Sequence, residues 1–94
     1  MLTPLTEEEL AEALTALPQW SVVDGRLTIT RKLTTFHDAL DWVHKVGLVA
    51  EELNHHPDIL VHGWNRVRLT ASTHSEGGLT DDDFTLAGRV DDLM

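Results

Sequence analysis

The chain has 94 residues, 41% of them apolar, and no cysteine. That is the size of one small domain spanning 1–94, and it excludes a disulfide framework, a redox CxxC and a thiol nucleophile. Seven basic against sixteen acidic residues give a formal net charge of −9, which argues against nucleic acid as a partner, because phosphate-backbone binding draws on Lys and Arg.

Residues 1–20 hold Glu7, Glu8, Glu9 and Glu12 with no basic segment ahead of an apolar core, unlike a signal peptide. No apolar run approaches the roughly 20 residues of a membrane span, so a cytoplasmic protein is expected. Thr6-Glu7-Glu8-Glu9 has the form of a capping box and predicts a helix over 7–16, with Leu10, Leu14 and Leu17 at helical spacing and Pro18 as its stop. Trp20 to Ile29 reads as a β-hairpin around Asp24-Gly25, a pair suited to a two-residue type I′ turn. Pairing Val23 with Arg26 sets Val22 opposite Leu27, and Ser21 and Thr28 share the other face.

From Phe36 the apolar positions Leu40, Val43, Val46 or Gly47, Ala50 and Leu53 follow three-and-four spacing, which predicts the longest helix, capped by Thr35 and Asp38 and limited by Pro57. Residues 59–62 and 66–73 read as two strands with Gly63 at their turn, the second alternating Val67, Leu69 and Ala71 against Arg66, Arg68 and Thr70. Gly77-Gly78 breaks the chain. Thr80 to Asp83 then opens a last helix with Phe84, Ala87, Val90 and Leu93 or Met94 as its inward residues. The order α-β-β-α-β-β-α predicts an α+β fold with helices covering one face of an antiparallel sheet. Its outer strands invite edge pairing between subunits.

Six histidines stand in a chain without tyrosine. His55-His56-Pro57 sets two imidazoles where a helix has just stopped, and His74 ends a strand before a glycine loop. An imidazole, with an unperturbed pKa of about 6.5, both takes and gives a proton near neutral pH, so such a group suits an elimination. Each candidate also has a structural reading. Adjacent histidines cap helix carbonyls, Asp83 completes a helix cap with Thr80, and Glu51 is an ordinary solvent-facing carboxylate. Trp64 is more often packing than a platform for a flat heterocycle. A zinc sphere drawn from His55, His56, His74 and Asp83 lacks both cysteine and the HExxH spacing, so no metal is expected.

Glu51-Glu-Leu-Asn-His55-His56-Pro57, an aromatic at Trp64, Ser72-Thr73-His74 and Gly78-Leu-Thr-Asp-Asp-Asp83 occur in that order. Together they resemble the signature of the pterin-4a-carbinolamine dehydratase family over the second half of the chain. The resemblance implies a four-stranded antiparallel sheet with three helices on one face, dimers joined edge to edge and tetramers built by helix packing. It also implies dehydration of 4a-hydroxytetrahydropterin, the product of aromatic amino acid hydroxylases, to quinonoid dihydropterin in tetrahydrobiopterin recycling, with the pterin as substrate and no bound cofactor.

By that resemblance His55, His56 and His74 are the catalytic set. His56 and His74 are then the acid/base pair and His55 a pterin-binding residue, while Glu51, Trp64 and Asp83 bind substrate or orient an imidazole. Animal relatives also serve as dimerisation cofactors of a homeodomain transcription factor, so a pterin-binding or protein-dimerisation module without catalysis is the alternative. Two positions depart from the family pattern. Asn54 stands where some relatives have Asp, and Trp64 lies one residue further from Pro57 than in the animal proteins, which predicts a longer turn or a bulge around Gly63.

Overall fold

The computed structural model describes residues 3–73 and 76–93. The elements are α1 (Glu7–Leu14), β1 (Ser21–Val23), β2 (Arg26–Lys32), α2 (Phe36–Leu53), β3 (Asp58–His62), β4 (Arg66–Ala71) and α3 (Asp81–Asp91). Three helices and one four-stranded antiparallel sheet of order β1-β2-β4-β3 make up the α+β fold. Among the described residues, no helix is long and apolar enough to cross a membrane.

Local chemistry sets most boundaries. The capping box forms as read, Thr6 Oγ1 accepting from the Glu9 amide at 3.2 Å and Glu9 Oε1 from the Thr6 amide at 2.9 Å. The helix stops two residues earlier than predicted, with Thr15 as its C-cap, because turns lead into Pro18. Asp24 and Gly25 hold φ of 52° and 73°, both positive as a type I′ turn demands, and the register is Ser21↔Thr28, Val22↔Leu27, Val23↔Arg26. The β3–β4 connection is a three-residue loop, Gly63-Trp64-Asn65, closed by His62↔Arg66, with Gly63 and Trp64 both at positive φ. Buried Asn65 fastens it to the segment after β2, accepting from the Leu33 amide at 2.7 Å and donating its own side-chain amide to the Leu33 carbonyl at 3.0 Å.

Alternation along the strands sends Leu27, Ile29, Val67, Leu69 and Ala71 to the covered face, where they meet Val46, Ala50, Leu86, Ala87 and Val90 from the helices. Trp20 is buried with them and donates its indole N–H to Asp91 at 2.8 Å, tying the hairpin to the end of α3. Two readings shift. The buried stripe of α2 is Ala39, Trp42, Val46, Val49 and Ala50, whereas Leu40 is exposed with Phe36 and Leu48 on a second apolar stripe. The fourth strand ends at Ala71, and Thr73 makes an isolated bridge to Gly78. In α3 the buried set includes Leu86 and Asp83, while Phe84 and Leu93 are only partly buried. Met94 lies outside the described residues.

Candidate functional site

Helix α2 ends in a reversal that separates two adjacent imidazoles. Asn54 adopts the left-handed conformation, φ 50° and ψ 43°. Its amide donates to the Glu51 carbonyl at 3.2 Å and the His55 amide to the Ala50 carbonyl at 3.0 Å. These are the two bonds of a Schellman closure, for which Asn is the usual substitute for Gly. The chain then leaves the helix extended toward Pro57, and the two side chains part company. His55 turns to α3, and His56 lies back along α2.

His55 Nε2 is 2.6 Å from Asp83 Oδ1, and the His55 side chain keeps only 13% of its exposure. Asp83 is fully buried, and its Oδ2 accepts from Thr73 Oγ1 at 2.8 Å and from the Thr80 amide at 3.0 Å. Asp83 is therefore at once the capping-box partner of Thr80 and the anchor of His55. A carboxylate that already accepts two hydrogen bonds is an acceptor for the imidazole too, so Nε2 of His55 carries the hydrogen in this contact.

His56 is the exposed member, 55% accessible, with Nε2 3.3 Å from Glu51 Oε2. The helix does not continue to His55, so Glu51 meets His56 and not the residue four positions on. His56, Glu51 and Pro57 line a groove of about 300 Å³ with His44, Leu48 and Ile59, between the second half of α2 and edge strand β3. Its volume is at the lower end of small-molecule sites. The apolar walls suit a flat ring and the imidazoles suit proton traffic. His44 was not marked by sequence reading. Its signal is the i, i+7 spacing to Glu51, which puts both on one side of α2.

His74 lies outside the described residues. The residue before it in the chain, Thr73, is buried and bonded to Asp83 and, at 2.9 Å, to Thr80 Oγ1. Trp64, at the β3–β4 turn, is 62% exposed and is not among the residues lining the His56 groove. Among the described residues, no group of three or more His, Asp or Glu side chains is placed to hold a metal ion.

Comparison with known proteins finds relatives over nearly the full length of the chain. A relative from Rubrobacter xylanophilus, provisionally named pterin-4-alpha-carbinolamine dehydratase, is 47% identical over 91 residues, covering 96% of this chain and 84% of its own. One of the same provisional name from a Picosynechococcus strain is 42% identical over 93 residues, covering 99% and 100%. The crystal structure of a transcriptional coactivator/pterin dehydratase from Brucella melitensis superposes with a TM-score of 0.91 at 38% identity, covering 97% of this chain and 98% of that one. A pterin dehydratase-like protein described as a RuBisCO assembly factor in the alpha-carboxysome shares the fold at TM-score 0.63 and 20% identity, covering 79% and 84%. The sequence model for pterin 4 alpha carbinolamine dehydratase matches residues 3–93, and with relatives this similar over nearly the full length, the chain belongs to the pterin-4-alpha-carbinolamine dehydratase family.

Proposed function

We propose that the protein dehydrates 4a-hydroxytetrahydropterin to quinonoid dihydropterin in the recycling of tetrahydrobiopterin, downstream of an aromatic amino acid hydroxylase. The observation that carries this reading is the split pair at the end of α2, with His55 locked to a buried carboxylate at 2.6 Å and His56 open on an apolar-walled groove. The reaction breaks the C4a–O bond, sends the hydroxyl out with one added proton and takes the proton from N5, leaving a C4a=N5 double bond and water. It needs an acid at the oxygen and a base at the nitrogen. His56 and His74 serve as that pair. His55, fixed by Asp83, presents a ring nitrogen of defined hydrogen-bonding character to the pterin, and Glu51 steadies His56. The C4a–O bond breaks without any exchange of electrons with an outside oxidant or reductant, so the reading calls for no metal and no resident cofactor.

The test is the decay of the carbinolamine generated in situ, compared with the spontaneous rate. Wild-type protein accelerates it. The His56→Ala, His74→Ala double variant loses on the order of 10²-fold or more, as removal of general acid/base groups does, with its circular dichroism unchanged. No acceleration by folded wild type would sink the enzyme reading. A protein-dimerisation role is the second reading, favoured by the exposed apolar stripe Phe36, Leu40 and Leu48 on α2. The same stripe and the open edges at β1 and β3 support a homodimer or homotetramer.

A further inference from the structure

The face of the sheet turned away from the helices has a charge opposite to that of the rest of the molecule. Residues alternate along β2 and β4, so Arg26, Thr28, Thr30 and Lys32 share this face with Arg66, Arg68 and Thr70, the register setting Thr30 opposite Arg68 and Lys32 opposite Arg66. Four of the seven Lys and Arg residues are therefore gathered on one uncovered surface. All four are exposed, and among the described residues none has an ion-pair partner. Two carboxylates stand at its margin, Asp58 on the outer strand and Asp24 at the hairpin tip, so fourteen of the sixteen acidic residues belong to the remainder of the chain.

We propose that this face binds an acidic polypeptide segment of another protein, laid across β2 and β4. Several features select that occupant. Arg26 and Lys32 are six residues apart on one strand, which at about 3.3 Å per residue spreads the cations over about 20 Å, too far for one small anion to engage them together. The outward positions of the four strands include no Phe, Trp or Tyr on which a base would stack, and the acidic remainder repels a long polyphosphate. Exposed Val23 and Leu60 flank the basic strip on the two outer strands and give apolar side chains of a peptide a contact that a nucleic-acid backbone does not use. Over the strip, Val23, Asp24, Arg26, Thr28, Arg68 and Thr70 border a groove of about 370 Å³, in which two guanidinium groups outnumber the one carboxylate where a peptide side chain would sit. Charge complementarity of this kind sets encounter rate and orientation.

The experiment is fluorescence anisotropy with a labelled 16-residue peptide of Asp and Glu with Leu at every third position, at 50 mM and 250 mM salt. Binding at micromolar concentration is expected. It should weaken at least tenfold in the Arg66→Gln, Arg68→Gln double variant, fall with salt, and stay unchanged in Lys45→Gln, a cation on α2. Absence of binding at low salt, or equal weakening by Lys45→Gln, would overturn the proposal. So would tighter binding of a 16-nucleotide oligothymidine, or salt-dependent self-association that the double variant abolishes, since these assign the face to nucleic acid or to a second copy. Pterin takes no part in the assay, and the double variant retains the wild-type rate of carbinolamine decay, so this proposal and the dehydratase reading stand or fall separately.

Discussion

Asp83 satisfies three donors at once, and removing it leaves the Thr80 amide and His55 Nε2 without their acceptor and Thr73 Oγ1 with Thr80 Oγ1 as its remaining partner. Each unsatisfied buried group costs about 1–3 kcal/mol. Asp83→Ala is therefore expected to lower the urea midpoint clearly, and Asp83→Asn less so, because the amide keeps one oxygen for the cap. Both should slow carbinolamine decay, as His55 loses its fixed orientation. A denaturation curve beside the rate assay separates the two effects. The cap itself was legible in the sequence, since Thr80 and Asp83 stand three positions apart. The bond to His55 was not, because 28 residues separate the partners and no periodic pattern links them. Only the resemblance marked Asp83 as belonging near the histidines.

A single residue at the end of α2 decides where two elements send their side chains. Asn54 is tolerated in the left-handed region, where a β-branched residue is not. Asn54→Val is expected to cost about 1–2 kcal/mol and to slow dehydration by misdirecting His55 and His56. Asn54→Gly should keep both stability and rate, as measured by thermal melting and the same decay assay. The sequence marked Asn54 only as a lost charge, because a conformational requirement is not visible in a charge comparison. The apolar stripe of helix α2 was read rightly at Val43, Val46, Ala50 and Leu53 and wrongly at Leu40, for a related reason. The helix carries apolar residues on two sides, and Leu40 and Trp42 compete as the core-facing position until the sheet is in place. The hairpin register was readable because Asp24-Gly25 allows one turn type.

At the scale of the whole molecule, Phe36, Leu40 and Leu48 leave one helix with a dry face toward solvent. An assembly that buries this stripe should dissociate when a charge is placed in it. Leu40→Glu is expected to lower the sedimentation mass while leaving the circular dichroism unchanged, and an unaltered mass would move the interface to the sheet edges. The distribution of the three tryptophans has a practical consequence. Trp20 and Trp42 are buried and Trp64 stands in solvent, in a chain with no tyrosine. Intrinsic fluorescence is then all indole, and an aqueous quencher such as acrylamide reaches one emitter and spares two. The quenchable fraction reports on the β3–β4 tip, and the protected fraction on the core, so local opening and global unfolding can be followed in one sample without a label.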